Sequence, residues 1–539
     1  MGRATELRRA LGTERARTYL AAALCAAVVV VFLWHIRLFD TVADDAFITF
    51  RYSQNLARGR GAVWNAGERV EGYSNFLWMV LLAVAHLVAR ADVTPAARLL
   101  SALCAAGTVV ALFALVARVT RSLFWATVAG AGLACCSSFA AHARNGLESS
   151  AFALLIVLVA LGLARESVWL LTVALVGVSL CRFEGVLIAA LAGITVALVG
   201  LGTKTGWTFL RAAAYSAPPY LLWTLWRYAY YGHLLPNSVA AKQGRAPELR
   251  FAHGAAYVKG FFGAESVVLG LFLAGAIALV VHLARRQRKP APPALVFVLL
   301  ASVVYTAFIV WIGGCWMPAW RMMAHVAPAV VALGVLALSR VSSRRTASVR
   351  LRVAGRVVVL ALLVPFGIKQ VRSTSAEHEN LAPRVVYWRD QVLALGEAGR
   401  WLKRTLPRDA TVATFAAGAL PYYFQGSTID VLGLTDAHIA RGGKKDPNAN
   451  AGHVSSDWPY VLERKPEVYV STLGAGFAAT EQPVVDKHMS PGYVPVVFKF
   501  LKTTNPQGSY LTLMIAQKRL AGTLRALEGD PDVIVARRP

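Results

Sequence analysis

The sequence predicts a polytopic, all-α membrane domain of about eleven transmembrane helices, followed by an α/β domain outside the membrane. Three observations carry this. Hydrophobic residues make up 56% of the 539 residues and the mean hydropathy is +0.51, more apolar surface than a water-soluble chain can cover. Apolar runs of about 16–22 residues, long enough to cross a bilayer, recur as far as residue 370. Arg and Lys gather in the short loops between these runs, and after Ile368 the long runs stop.

The N-terminus carries Arg3, Arg8, Arg9, Arg15 and Arg17, which places it in the cytoplasm. The first helix, residues 17–37, is followed by no small-residue cleavage site and reads as a retained span. It delivers an outer loop, residues 39–78. The apolar run 74–89 is short. Arg118 and Arg121 belong inside, so the next span, 97–117, must run inward, and 74–89 then lies along the outer surface. The remaining spans are 122–139, 148–164, 167–181, 184–200, 209–226, 262–283, 293–312, 321–339 and 355–370. Their cytoplasmic turns hold Arg165, Lys204, the basic run 285–289, and Arg340, Arg344, Arg345, Arg350, Arg352 and Arg356. Every cationic cluster falls on one side, and the C-terminus falls outside.

Residues 1–371 therefore form the membrane domain and 372–539 an outer domain long enough for its own core. Within it, 384–405 has the pattern of an amphipathic helix. Residues 411–415, 428–432, 467–470, 494–500 and 510–515 read as short strands, and 418–424 as a short helix.

The formal charge of +27 lies largely in short loops, where the positive-inside rule accounts for it. No basic tract is interleaved with stacking aromatics, so nucleic-acid binding is not indicated. The six cysteines (25, 104, 135, 136, 181, 315) lie mostly in apolar runs and form no CxxC pair, so neither a zinc site nor a disulfide framework follows.

Chemistry concentrates in the outer loop, DTVADDAFITFRYSQNLARGRGAVWNAGERVEGYSNFLW from Asp40 to Trp78. Asp44 and Asp45 are adjacent carboxylates beside a membrane, a costly arrangement that a site would use. One can be a general base, the other a metal ligand or orienting group. Arg51, Glu68, Glu71, Tyr73 and Asn75 follow. Other polar groups collect at the outer span ends: His142, Arg144, Asn145 and Glu148; Arg182 and Glu184; His233, Asn237 and Lys242; Trp316 and Arg321.

The DDAFI-x-x-RY and ERVEGYSN elements resemble the first outer loop of GT-C class glycosyltransferases that use polyprenyl-phosphate sugars. Within that class they are most similar to the terminal arabinofuranosyltransferases of actinobacterial cell-wall synthesis and their relatives. Gly146-Leu147-Glu148, Arg182-Phe183-Glu184-Gly185, Tyr230 to Gly232 with Pro236-Asn237 and Lys242, Gly313-Gly314-Cys315-Trp316, and Ile429 to Arg441 resemble the same family. Phe183 stands where proline is usual, and Cys315 where aspartate is common.

The resemblance implies an inverting transferase in the bacterial cytoplasmic membrane. Its expected donor is a polyprenyl-phosphate sugar, and its acceptor an extracytoplasmic cell-envelope glycan or lipid. Asp45 or Asp44 is the expected base. Arg51, Arg144, Arg182, Lys242 and Arg321 are the expected donor-phosphate partners. Glu68, Glu71, Tyr73, Asn75, Glu148, Glu184, His233, Asn237 and Trp316 are the expected sugar or acceptor contacts. No cofactor is demanded. A divalent cation between an acid and the phosphate is compatible with the chemistry, but no ligand spacing requires one. Three other readings stay open at this point: transfer of another pentose or a hexose, a lipid-linked sugar flippase or transporter, and a non-catalytic glycan-binding protein.

Overall fold

The computed structural model describes residues 2–90, 92–284, 291–342, parts of 356–368, 381–449, 452, 454–470, 485, 487–489, 491–501, 509–525 and 532–537. The predicted domain boundary at 371/372 and the basic residues 285–289, Arg344, Arg345, Arg350 and Arg352 lie outside the described residues.

Among the described residues, the membrane domain consists of helices and the loops that join them. Its helices are α1 (Gly2–His35), α2 (Asp44–Ala57), α3 (Phe76–Ala89), α4 (Thr94–Thr120), α5 (Leu123–Ala134), α6 (Ser137–Ala141), α7 (Ser149–Arg165), α8 (Val168–Cys181), α9 (Gly185–Val199), α10 (Lys204–Tyr231), α11 (Asn237–Ala241), α12 (Pro247–Ala264), α13 (Ser266–Ala284), α14 (Pro293–Ile312) and α15 (Arg321–Ser342). Local chemistry sets several starts. Ser122, Ser167 and Thr203 have extended backbones, and their hydroxyls accept the Trp125, Leu170 and Gly206 N–H groups, as N-caps do. Helix α15 is apolar on all sides and almost wholly buried, so it forms the centre of the bundle.

Among the described residues, four helices are long and apolar enough to cross a membrane: Thr13–Leu38, Thr94–Thr120, Pro293–Ile312 and Arg321–Arg340. A fifth is α12 with the start of α13, if that bent pair counts as one span. Helices α3, α5, α7, α8 and α9 are apolar but shorter, at 10–17 residues. The eleven spans thus remain an expectation.

Two spans read as continuous are broken. Helix α5 stops at Ala134 and a one-turn helix follows, while α12 and α13 bend by 99° at Glu265. The two breaks meet, because the buried Glu265 carboxylate accepts the Ser137 and Ser138 N–H groups at 3.2 and 2.5 Å. Those donors have no partner within their own helix.

The C-terminal domain, expected outside the membrane and called the outer domain for that reason, begins with α16 (Leu381–Thr405), as its amphipathic pattern predicts. A six-stranded mixed sheet follows: β1 (Thr411–Thr414), β2 (Ser427–Asp430), β5 (Val468–Val470), β6 (Tyr493–Phe500), β7 (Ser509–Ala516) and β8 (Val533–Arg537), in the order β2-β1-β5-β7-β6-β8. β1 pairs in parallel with β2 and β5; the other pairings are antiparallel. A two-stranded ribbon, β3 (Lys444–Lys445) with β4 (Ser455–Ser456), stands apart. Helices α17 (Ala419–Phe424), α18 (Ala437–Gly442), α19 (Trp458–Glu463) and α20 (Gln517–Arg525) complete it. The five predicted strands match β1, β2, β5, β6 and β7. Strand β8 and the ribbon were not anticipated. Trp401 of α16 packs on Phe498 of the sheet, ring centroids 5.1 Å apart.

This domain sits on the outer loop. Gly418 admits no side chain, since a Cβ there would lie 2.1 Å from the Asp44 carbonyl oxygen. Tyr422 packs on Phe47 and Phe50. Trp64 donates its indole N–H to Thr428 at 2.9 Å.

Candidate active site

Asp44 and Asp45 open α2, with Ala43 as its cap. Adjacent helical positions point roughly 100° apart, and the two carboxylates meet different surroundings. Asp44 is buried, and its Oδ1 accepts the Ala419 N–H at 2.8 Å. Burial pushes its carboxyl up to about 7. Asp45 is only partly covered and accepts no hydrogen bond among the described residues. Burial also raises its pKa, opposed by the nearby Arg321 and Lys242 charges and reinforced by Glu148.

Glu148, buried just ahead of α7, is the hub beneath Asp45. It takes Nη2 of Arg321 at 2.6 Å, an Nη1 hydrogen bond from Arg182, and the Asn75 amide at 2.7 Å. Arg182 also binds Glu184 at 2.6 Å. Glu184 accepts from the Tyr305 hydroxyl at 3.3 Å, and Tyr305 meets His325 at 3.0 Å. Two arginines and two acids are thus held as one network, as buried charges require.

The turn before α15 aims Arg321. Ala319 and Trp320 both adopt left-handed backbone conformations, φ 58° and 46°, which non-glycine residues rarely accept. His142 holds this turn. Its Nε2 meets the Ala319 carbonyl at 3.1 Å, and its Nδ1 meets the Asn145 amide at 2.7 Å. Burial and the nearby Arg321 charge pull its ring down to about 3, so the imidazole is neutral and Nε2–H donates to Ala319. The Asn145 carbonyl in turn accepts the Ala43 N–H at 3.0 Å. One relay therefore braces the approaches to both Asp45 and Arg321. Lys242, exposed after α11, approaches Trp316 across Gly452.

The structure gathers Asp45, Glu148, Arg182, Arg321 and Lys242, with Asn75, Glu184 and Trp316 beside them. It takes several expected contacts elsewhere. Arg51 is buried, with Trp64 O, Asn65 Oδ1, Pro421 O and Gly426 O accepting from its guanidinium at 2.6–3.0 Å. Those contacts dock the outer domain and leave it poorly placed to hold a phosphate. Arg144 turns to Asp40 at 3.8 Å. Glu71 is sealed in an ion pair with Arg227 at 2.7 Å. Tyr73 is buried against Tyr231, hydroxyls 3.1 Å apart. Asn237 donates to the Gly433, Leu434 and Asp436 carbonyls. Glu68 bonds Asn65 at 3.0 Å in the seam with the outer domain. His233 is exposed near Arg441. Tyr305 and His325 were missed, because each is a lone polar residue within an apolar run. The 429–441 element is turn and capping chemistry: Asp430 accepts the Leu432 and Thr435 N–H groups, and Asp436 caps α18.

Among the described residues no three His, Cys, Asp or Glu side chains converge to hold a metal ion.

Comparison with solved structures decides the fold. The apo oligosaccharyltransferase of Archaeoglobus fulgidus superposes over 95% of this chain and 78% of its own, with TM-score 0.58 at 12% identity. ArnT from Cupriavidus metallidurans superposes over 92% of this chain and 98% of its own, with TM-score 0.54 at 12% identity. The same protein bound to undecaprenyl phosphate gives 0.52. The chain has the GT-C fold. In sequence, the terminal β-(1→2)-arabinofuranosyltransferase of Corynebacterium glutamicum is 24% identical over 311 residues, 51% of this chain. The match spans 45% of that relative's length. A family model described as a domain of unknown function (DUF8728) matches residues 382–523, which run from α16 into α20 of the outer domain.

Proposed function

We propose that this GT-C chain is an inverting glycosyltransferase. It moves a sugar, arabinofuranose first among the candidates, from a polyprenyl-phosphate donor to a hydroxyl of an extracytoplasmic glycan or lipid. The observation that carries this reading is Asp45: a carboxylate in the first turn of α2, free of hydrogen bonds among the described residues and facing two cations. The GT-C fold fits a lipid-linked donor. The arabinofuranose assignment draws on the corynebacterial relative and on the sequence elements of the outer loop.

Each residue then has a task. Asp45 takes the acceptor hydroxyl proton as that oxygen bonds to the anomeric carbon. The anomeric C–O bond to phosphate breaks, and its electron pair leaves with the phosphate. Arg321, already oriented by Glu148 before reaction, and Lys242 face the developing charge. Arg182 and Glu148 hold Arg321 in place. Glu148 is occupied by three donors and is unsuited to act as a nucleophile. One base and, among the described residues of the site, no second free carboxylate imply a single displacement, hence inversion. The cationic loops support a cytoplasmic N-terminus with the outer domain on the far side, in a bacterial cytoplasmic membrane.

The test is incubation of purified protein with polyprenyl-phosphate arabinofuranose, mannose, glucose and aminoarabinose, each with envelope glycan acceptors. Mass spectrometry identifies product and NMR its anomeric configuration. Transfer with inversion is expected. Retention, or transfer with none of the donors, rejects the reading.

A further inference from the structure

One of the predicted phosphate cations, Arg144, lies apart from the Glu148 network, in a cluster with arginines that the sequence did not single out. Asp40, more than half exposed, is hydrogen-bonded by Arg98 and lies 3.8 Å from Arg144. Arg389 of α16 lies close enough to act on Asp40, and Arg37, just beyond α1, acts on Arg144. Asp390 lies 3.7 Å from Arg389. Four guanidiniums therefore face two carboxylates. The Nε–H of Arg98 is buried without a hydrogen-bond partner among the described residues, and that of Arg389 has only the Asp390 carboxylate, 3.7 Å away. Such donors are costly unless something accepts from them.

The surroundings identify what can. Below Arg37, helix α1 exposes Val30, Val31 and Trp34; beside Arg98, α4 exposes Leu99 and Leu103. These side chains belong in lipid. An arginine cluster directly above them, with Trp34 at the same edge, lies at headgroup depth. Guanidinium forks match phosphate oxygens geometrically.

We propose that Arg37, Arg98, Arg144 and Arg389 form a site for a lipid-borne phosphate at the bilayer surface. Asp40 spreads and orients the arginines. Because Arg389 comes from the outer domain and the others from the membrane domain, a bound headgroup joins the two. The leaflet follows from the orientation proposed above; the lipid contact itself does not depend on it, nor on the transferase activity.

The full chain is purified in detergent, supplied with equal phosphatidylglycerol and phosphatidylcholine, and examined by native mass spectrometry. A parallel arm supplies polyprenyl monophosphate, and another adds millimolar inorganic phosphate as competitor. The wild type is expected to retain one phosphatidylglycerol several-fold over phosphatidylcholine, and to hold one polyprenyl phosphate more than the variant below, in which Arg321 and Lys242 are intact. Arg98→Gln with Arg144→Gln should lose that preference while unfolding at a similar temperature. Lys403→Gln, on an exposed part of α16, should keep it. Equal retention by wild type and the double variant, no preference over phosphatidylcholine, or full displacement by inorganic phosphate would each overturn the proposal. If the double variant fails to fold, Arg37→Gln carries the same test from an exposed position.

Discussion

Asp44 and Asp45 are neighbours that the structure separates, and substituting each by asparagine tests the separation. Asp44→Asn keeps an amide oxygen where Oδ1 accepts the Ala419 N–H at 2.8 Å, and it removes a buried charge. The cost is at most about 1 kcal/mol of hydrogen bonding, so turnover should stay within about tenfold of wild type. Asp45→Asn keeps shape but cannot take a proton. Loss of a general base lowers turnover by about 10²–10⁴, or about 3–5 kcal/mol in the barrier. The assay is single-turnover transfer from a purified lipid-linked donor, with donor affinity measured alongside. Affinity should change little in either variant. Because the Asp45 carboxyl is raised, wild-type kcat/KM should rise with pH through a point above that of an ordinary aspartate. Near-normal turnover in Asp45→Asn, with an inactive but folded Asp44→Asn, would refute the assignment.

Asp44 also predicts a stability trend. Its folded pKa of about 7 lies above the unfolded value of 3.8, so the native state holds the proton more tightly. That contribution is full below the unfolded value and is lost as pH rises through about 7. Thermal unfolding of wild type should therefore decline over this range relative to Asp44→Asn. Glu148→Gln leaves Arg182 and Arg321 without their shared counter-charge; a loss of about 3–5 kcal/mol is expected, read as a lower unfolding temperature. Arg51→Ala should loosen the outer domain, seen as faster proteolysis of residues 381–537, with donor affinity unchanged. Arg321→Gln should lower turnover by about 10²–10³ while the protein stays folded. A cysteine at position 345 should be labelled only after the membrane is permeabilised; labelling from outside intact cells would reverse the topology.

The sequence alone determined what rests on local pattern. Apolar runs and cationic loops defined a helical membrane domain. Alternation and a 3.6-residue period located α16 and five of the strands, because neighbouring residues decide which face is buried. The outer loop's acids and the Glu148 and Arg182 segments were legible as chemistry, because charges beside a membrane are costly enough to mark themselves. Partnership was not legible, since it depends on residues far apart in the chain. Arg51 resembled a phosphate ligand until Pro421 and Gly426, some 370 residues away, were seen to accept from it. Glu71 similarly met Arg227, and Arg144 met Asp40. The breaks at Cys135 and Glu265 are invisible to hydropathy, because the carboxylate that caps α6 comes from a distant bend. Only the tertiary structure could show that Asp44 and Asp45 have different surroundings: the fold brings the Ala419 N–H to one and leaves the other facing Arg321 and Lys242.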